Sequence, residues 1–170
     1  MSAYASEPSG EPVPSGYDHP ENETSFWGQL ARQAYERIVL GPGHRIIVDV
    51  GCGSGVALAS LARRAAASVT LVGVDPAEDM RRLAAQRTAG LTQVEIRDGR
   101  FESLPLADAS VDYLYSIWAF QWVRDPQQAV AELRRVLAAR GDFDLWFAGV
   151  HTGRELARAA GEVLGRHVDL

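Results

Sequence analysis

Apolar residues fall in short dense runs separated by longer, periodic segments. The runs at 45–50 (RIIVDV), 68–75 (SVTLVGVD), 92–98 (TQVEIRD), 110–117 (SVDYLYSI) and 142–150 (DFDLWFAGV) read as strands. Several are apolar almost throughout, as parallel strands covered on both faces are. Helical signals lie between and around them. A first helix is predicted from Thr24 or Ser25 to about Val39, with Leu30, Ala34 and Ile38 at four-residue spacing and GPG at 41–43 ending it. Another follows the second run, with Asp75 at the cap, Pro76 at the first helical position, Glu78 and Asp79 in the first turn and Gly90 past the end. A third repeats that grammar between Asp125, Pro126 and Gly141, with Val130, Leu133, Val136 and Leu137 as its buried stripe, and a last one is expected at 152–165. Residues 1–23, broken by Pro8, Pro12, Pro14 and Pro20, read as a mobile tail ahead of one domain at 24–170. Strands and helices taking turns predict an α/β fold, a doubly wound parallel sheet of about five strands with helices on both faces.

The first strand runs into Gly51, Gly53 and Gly55 within VDVGCGSG. Glycines at such a turn allow positive φ and let a ligand approach the backbone, while a helix starting near Gly55 offers unpaired N–H groups. In a doubly wound sheet, ligands bind outside the C-terminal strand ends where strand order reverses, and the first strand-to-helix turn lies there. Asp75 closes the second strand 20 residues after Gly55, where a carboxylate can accept both hydroxyls of a ribose. Taken singly, glycines can serve only a tight connection, and Asp75 only a cap. Together they point to an adenosine ligand. A dinucleotide fingerprint would need its third glycine where Val56 stands, and the absence of any lysine excludes a G-x-x-x-x-G-K-[ST] phosphate loop. Asp49, just ahead of the glycines, is unfavourable beside a pyrophosphate and suits an ammonium group. S-adenosylmethionine has ammonium, carboxylate and ribose but no phosphate.

Composition narrows the partners. The chain has 170 residues, 46% apolar and 23% charged, with a net charge of −5 and all 17 basic residues arginine. No face gathers these arginines, so nucleic acid is a poor fit. Cys52 is the only cysteine, and His19, His44, His151 and His167 lack ligand spacing, so neither disulfide nor metal is expected and a cytoplasmic setting follows. No apolar run approaches the about 18 residues of a membrane span, and no secretory signal pattern opens the chain.

Four ordered stretches, VDVGCGSG, LVGVDPAEDM, ESLPLADASVDYLYS and QWVRDPQQAVAELRRVLAARGDF, resemble the class I S-adenosylmethionine-dependent methyltransferases. The likeness covers roughly 24–150 and is to the small-molecule group related to the ubiquinone and menaquinone methyltransferases. FQWVRDP is most like the trans-aconitate and malonyl-carrier-protein carboxyl methyltransferases. The resemblance implies a Rossmann-like fold, S-adenosylmethionine as methyl donor, S-adenosylhomocysteine as product, and no metal. It implies that Gly51, Cys52 and Gly53 pass under the methionine part with Asp49 nearby, that Asp75 holds the ribose, and that Pro76 and Met80 flank the adenine. Where the family reads Gly-Asp-Ala after the third strand, this chain has Gly99, Arg100 and Phe101. The acid is missing there, so Phe101 is expected beside the adenine through its backbone, and Asp98 is the nearest carboxylate. Ser116 would face the methionine end.

In-line methyl transfer from a sulfonium needs alignment and exclusion of water, worth about 7–11 kcal/mol at the extreme. No catalytic base is singled out: a carboxylate acceptor needs none, a hydroxyl would want one, and His44 and His151 read as surface residues. Trp27, Trp118 and Gln121 are candidates for the acceptor pocket. Phe26 also lies near the mouth, while Phe120 and Trp122 read as helix-to-sheet packing. Family members continue into a sixth and a seventh strand, which the sequence, ending at Leu170, is expected to lack. The uncovered edge of the fifth strand would then invite pairing with a second copy. Two functions follow: methyl transfer to a small-molecule acceptor, carboxylate or hydroxyl favoured, or a truncated donor-binding module without transfer. A nicotinamide-dependent reading is disfavoured by the glycine spacing.

Overall fold

A computed structural model describes residues 24–148. The elements are helix α1 (Phe26–Arg37), strand β1 (Ile46–Val50), α2 (Val56–Arg64), β2 (Thr70–Asp75), α3 (Glu78–Arg87), β3 (Val94–Asp98), β4 (Val111–Ile117), a 3-10 turn (Phe120–Trp122), α4 (Pro126–Val136) and β5 (Leu137–Trp146). All five strands pair in parallel in the order β3-β2-β1-β4-β5. The order reverses between β1 and β4.

Strand alternation sorts the core into two layers. Val48, Val50, Val72, Val74 and Leu114 point to one face, where Ala129, Leu133 and Val136 of α4 meet them with Phe101 and Leu104. Ile47, Leu71, Tyr113 and Tyr115 point to the other, against Ile38 and the α2 residues Leu58, Leu61 and Ala62. Gly73 keeps α2 close, since a Cβ there would lie 2.7 Å from Leu58 Cδ2.

The expected sheet forms, with local departures. The crossover from β3 to β4 is an irregular segment rather than a helix, and Arg135 ties it down. That guanidinium donates to the carbonyls of Leu104 and Leu106 and to the carboxylates of Asp108 and Glu132. Helix α4 begins as expected, with the Asp125 carboxylate accepting from the N–H groups of Gln127 and Gln128 and Pro126 in the first turn. It stops at Val136 rather than Gly141, because Leu137 already pairs with Val111 of β4. Gly141 is needed for a different reason: a Cβ there would lie 2.7 Å from the Val111 carbonyl oxygen. Val130 is 55% exposed, and the buried stripe is Ala129, Leu133 and Val136. The cap of α3 is Ala77, so Asp75 and Pro76 precede the helix. The tail at 1–23 and the helix expected at 152–165, with His19, His151 and His167, lie outside the described residues.

Candidate functional site

The chain turns out of β1 at the reversal point, and Gly51, Gly53 and Gly55 all adopt positive φ, +76°, +52° and +79°. Space as well as conformation excludes a side chain at Gly51 and crowds one at Gly55. A Cβ on Gly51 would sit 2.2 Å from the Ala119 Cβ, and one on Gly55 3.0 Å from the Ala84 Cα. Around the Cβ position of Gly53 nothing lies within 4 Å, so the turn opens a cradle there. The Val74 carbonyl accepts from the N–H groups of Gly51 and Cys52, at 2.7 and 3.1 Å, fastening the turn to β2.

Asp75 is buried at the end of β2 and holds the same turn. Its Oδ2 accepts from the Gly53 N–H and its Oδ1 from the Ala77 N–H, both at 2.9 Å. A carboxylate has about four lone-pair sites, so capacity remains on both oxygens. Burial raises its pKa, while those two N–H groups and Arg81 pull it down. Arg81, on α3, donates to the Asp75 carbonyl at 3.0 Å and pairs with Asp98 at 3.1 Å.

Asp49 stands beside Tyr115 in the β1–β4 register and is 2% exposed. Burial pushes its pKa up to about 8, and the Asp75 charge adds to that. The Tyr115 hydroxyl faces it and offsets part of the rise, although that hydroxyl closes no hydrogen bond of full geometry. A buried carboxyl without a cation beside it is a poor structural element. It is a sound seat for a positive ligand group. Cys52 is buried between this carboxyl and Gly53, and burial holds its thiol protonated.

The other expected residues fall into three groups. Met80 is buried on α3, and Phe101 is buried at the turn, with its Cε2 3.9 Å from the Cβ position of Gly51. Gly99 lies under Pro105 and against Val74, Pro76 is exposed, and the Arg100 side chain is exposed. Ser116 is fully buried with an unpaired Oγ, on the sheet face opposite Asp49. Trp27 packs edge-on against Trp118, ring centroids 5.5 Å apart, and Gln121 donates to the Trp118 carbonyl at 2.8 Å. Phe120 packs against Phe101 and the α4 layer as expected, whereas Trp122 is exposed.

His44 lies at the opposite end of the sheet. It stacks on Tyr113, and its Nδ1 accepts from the Gly41 N–H. Tyr115, Ala119 and Arg81 are site residues that sequence reasoning missed. Tyr115 was legible as the pairing partner of Asp49 once strand order was known; the other two are through-space neighbours without a local signal.

A family model described as a methyltransferase domain matches residues 48–144. The chain belongs to this methyltransferase-domain family. It is 36% identical over 129 residues to a 37.1 kDa protein encoded in a Streptomyces fradiae transposon, covering 71% of this chain and 37% of that one. Over 152 residues it is 36% identical to the malonyl-[acyl-carrier protein] O-methyltransferase of a Methylovorus strain, covering 82% and 50%. The crystal structure of a SAM-dependent methyltransferase from Aquifex aeolicus superimposes with a TM-score of 0.60 at 25% identity, covering 71% of this chain and 63% of that one. The chain thus spans half or less of the length of these two curated relatives. The class I, Rossmann-like, S-adenosylmethionine-dependent family expected from the sequence is the one found. Among the described residues no helix is long and apolar enough to cross a membrane, and no group of three potential metal ligands assembles in this methyltransferase domain.

Proposed function

We propose that this chain binds S-adenosylmethionine across the glycine turn and transfers its methyl group to a small-molecule acceptor, with a carboxylate or hydroxyl oxygen as nucleophile. The observation that carries this reading is the pair of buried carboxyls, Asp49 and Asp75, flanking a turn that is open at Gly53. Such a site disfavours phosphate, which would keep the carboxyls from ionising, and favours an ammonium group, beside which Asp49 ionises, and sugar hydroxyls. Asp49 would receive the ammonium, and the free lone pairs of Asp75 the ribose hydroxyls. Gly51, Cys52 and Gly53 would line the methionine part, with Ser116 at its end. Pro76, Met80, Gly99, Arg100 and Phe101 would border the base, and Trp27, Trp118 and Gln121 the acceptor. When bound, the donor supplies a methyl group already activated on sulfonium sulfur. The protein's task is to orient an acceptor oxygen and exclude water, which the aromatic rim of Trp27, Trp118 and Phe120 can do. The likeness to a malonyl-[acyl-carrier protein] O-methyltransferase favours an oxygen acceptor. A cytoplasmic setting, and self-association through the outer edge of β5 where Phe143 and Phe147 are exposed, belong to the same reading.

Calorimetry with S-adenosylmethionine and S-adenosylhomocysteine tests donor binding. Asp75→Ala should weaken both by about tenfold or more, the worth of hydrogen bonds to a charged acceptor. Methyl transfer from labelled donor into a panel of carboxylic acids and phenols tests turnover. Donor binding without transfer to any acceptor leaves the alternative, a donor-binding module. No binding of either compound sinks both.

A further inference from the structure

We propose that the Trp118 indole N–H selects the methyl acceptor, and that this acceptor is a carboxylate carried on an apolar body. This rests on the methyl-transfer reading above and narrows its substrate class.

Trp118 has φ +56°, a left-handed conformation that a bulky side chain rarely adopts. It persists because both ends of the residue are tied: its N–H donates to the Trp146 carbonyl at 2.7 Å, and its carbonyl accepts from Gln121. Strain of this kind survives where the surroundings fix it and concentrates at functional positions. The residue adjoins the glycine turn, since the next one, Ala119, occupies the space a Gly51 side chain would need. Its ring packs against Trp27 of α1, not into the α4 layer.

The indole Nε1 is buried and has no hydrogen-bond partner. Among the described residues the other buried side-chain polar atoms in that condition are the Tyr115 hydroxyl and Ser116 Oγ, on the same strand end. A hydroxyl can donate or accept. An indole N–H can only donate. It therefore favours a ligand atom with a spare lone pair, and an ammonium or an amine aiming its single lone pair at the methyl has none. A carboxylate has several: one oxygen forms the new O–CH3 bond while the other accepts from Trp118. The methyl–sulfur bond breaks, its electron pair stays on sulfur, and no proton leaves the acceptor. No base is needed, in keeping with His44 lying at the far end of the sheet.

Trp27, edge-on against the Trp118 ring, is the neighbour a ligand at this ring would displace. The residue is 53% exposed and sits in the first turn of α1, whose chain is anchored further along by the buried Ala34 and Ile38. A carboxylate that displaces this ring satisfies a donor that the free protein leaves unpaired, which is the differential interaction a ligand-driven change requires. The exposed aromatic edge of Trp27 and Phe26 then covers the apolar body.

The test is the indole N–H resonance of Trp118, one of four tryptophans, identified by its loss in Trp118→Phe. Benzoate and octanoate, added to protein saturated with S-adenosylhomocysteine, should move it downfield; benzylamine and octylamine should not. Trp118→Phe should raise the KM for carboxylates by about tenfold with a smaller change in kcat and unchanged donor affinity. Should that variant fold poorly, the benzothiophene analogue of tryptophan at position 118 keeps the ring and removes only the N–H. A resonance unmoved by both carboxylates, moved equally by the amines, or moved by S-adenosylhomocysteine alone overturns the proposal. Calorimetry with S-adenosylhomocysteine, and the carboxylate titration repeated without it, separate the two failures: absent S-adenosylhomocysteine binding defeats the methyl-transfer reading, while the carboxylate response reports on Trp118 independently.

Discussion

Asp49 should make donor binding release a proton. Its carboxyl is buried with its pKa pushed up to about 8, against an ordinary 3.8. At pH 7 such a group is about 0.9 protonated. An ammonium placed beside it would restore the charge and lower the pKa, so up to about 0.9 proton should leave at pH 7 and almost none well above pH 9. Calorimetry at pH 7 in phosphate and in Tris, whose ionisation enthalpies differ, reads that number directly. Stability gives a second measure. The folded state binds the proton more tightly than the unfolded state, so stability falls as pH rises from about 4 to about 8 and levels beyond. At ~1.4 kcal/mol per pH unit, the loss from this one group is of the order of 5 kcal/mol. Asp75, raised in the same direction, adds to the slope. Asp49→Asn should flatten the profile and remove the proton release. Release below about 0.2 proton at pH 7, or release unchanged in Asp49→Asn, refutes the assignment of the ammonium to this carboxyl.

Two further outcomes follow from packing. Gly51→Ala combines left-handed strain with a 2.2 Å clash against Ala119 Cβ, and should cost about 2–5 kcal/mol in urea unfolding. Ala119→Gly in the same chain should recover the clash and leave only the strain, about 1–2 kcal/mol; a double variant as unstable as the single one would show that the contact is not the cause. Arg135→Ala removes the bonds to Leu104, Leu106, Asp108 and Glu132, and releases Glu132 from the pairing that holds its pKa down at about 2. Because the arginine is partly exposed, a loss of about 2 kcal/mol is expected, with the earliest amide-exchange deprotection at 99–110; unchanged exchange there would contradict the clamp.

The strands, the parallel class and the three glycines of the turn were legible in the sequence because each has a local cause. Buried parallel strands must be apolar, and a turn that needs left-handed backbone needs glycine. The helix end at Val136 was not. LAAR following it is made of good helix formers, yet pairing of Leu137 with Val111 overrides that propensity. Val130 misled for a simpler reason: it adjoins Ala129, and one residue of helix turns a side chain through about 100°. Asp49 and Asp75 stood out in the sequence by position, one just ahead of the glycines and one closing the second strand, and the structure buries both beside the turn. Tyr115, Ala119 and Arg81 needed strand order and helix placement first. No local pattern encodes which residue fills the space over a glycine.

The missing side chains explain more than local conformation. Gly51 admits Ala119 and Gly55 admits Ala84, so the turn is wedged between the segment after β4 and helix α3. Val74 and Asp75 fasten it from a third side, through the N–H groups of Gly51, Cys52 and Gly53. A glycine loop is flexible only when nothing packs against it. Here the smallness of the residues brings rigid neighbours into contact and fixes the backbone before any ligand arrives. Asp49, Asp75 and Trp118 are therefore all set from this one clamped turn, Asp49 by the strand leading in, Asp75 by direct hydrogen bonding and Trp118 through Ala119. Asp49 and Asp75 share the clamp directly, so ligand contacts at the two carboxyls should be coupled rather than additive, whereas the Trp118 ring, reached only through Ala119, can lose its N–H without altering donor affinity.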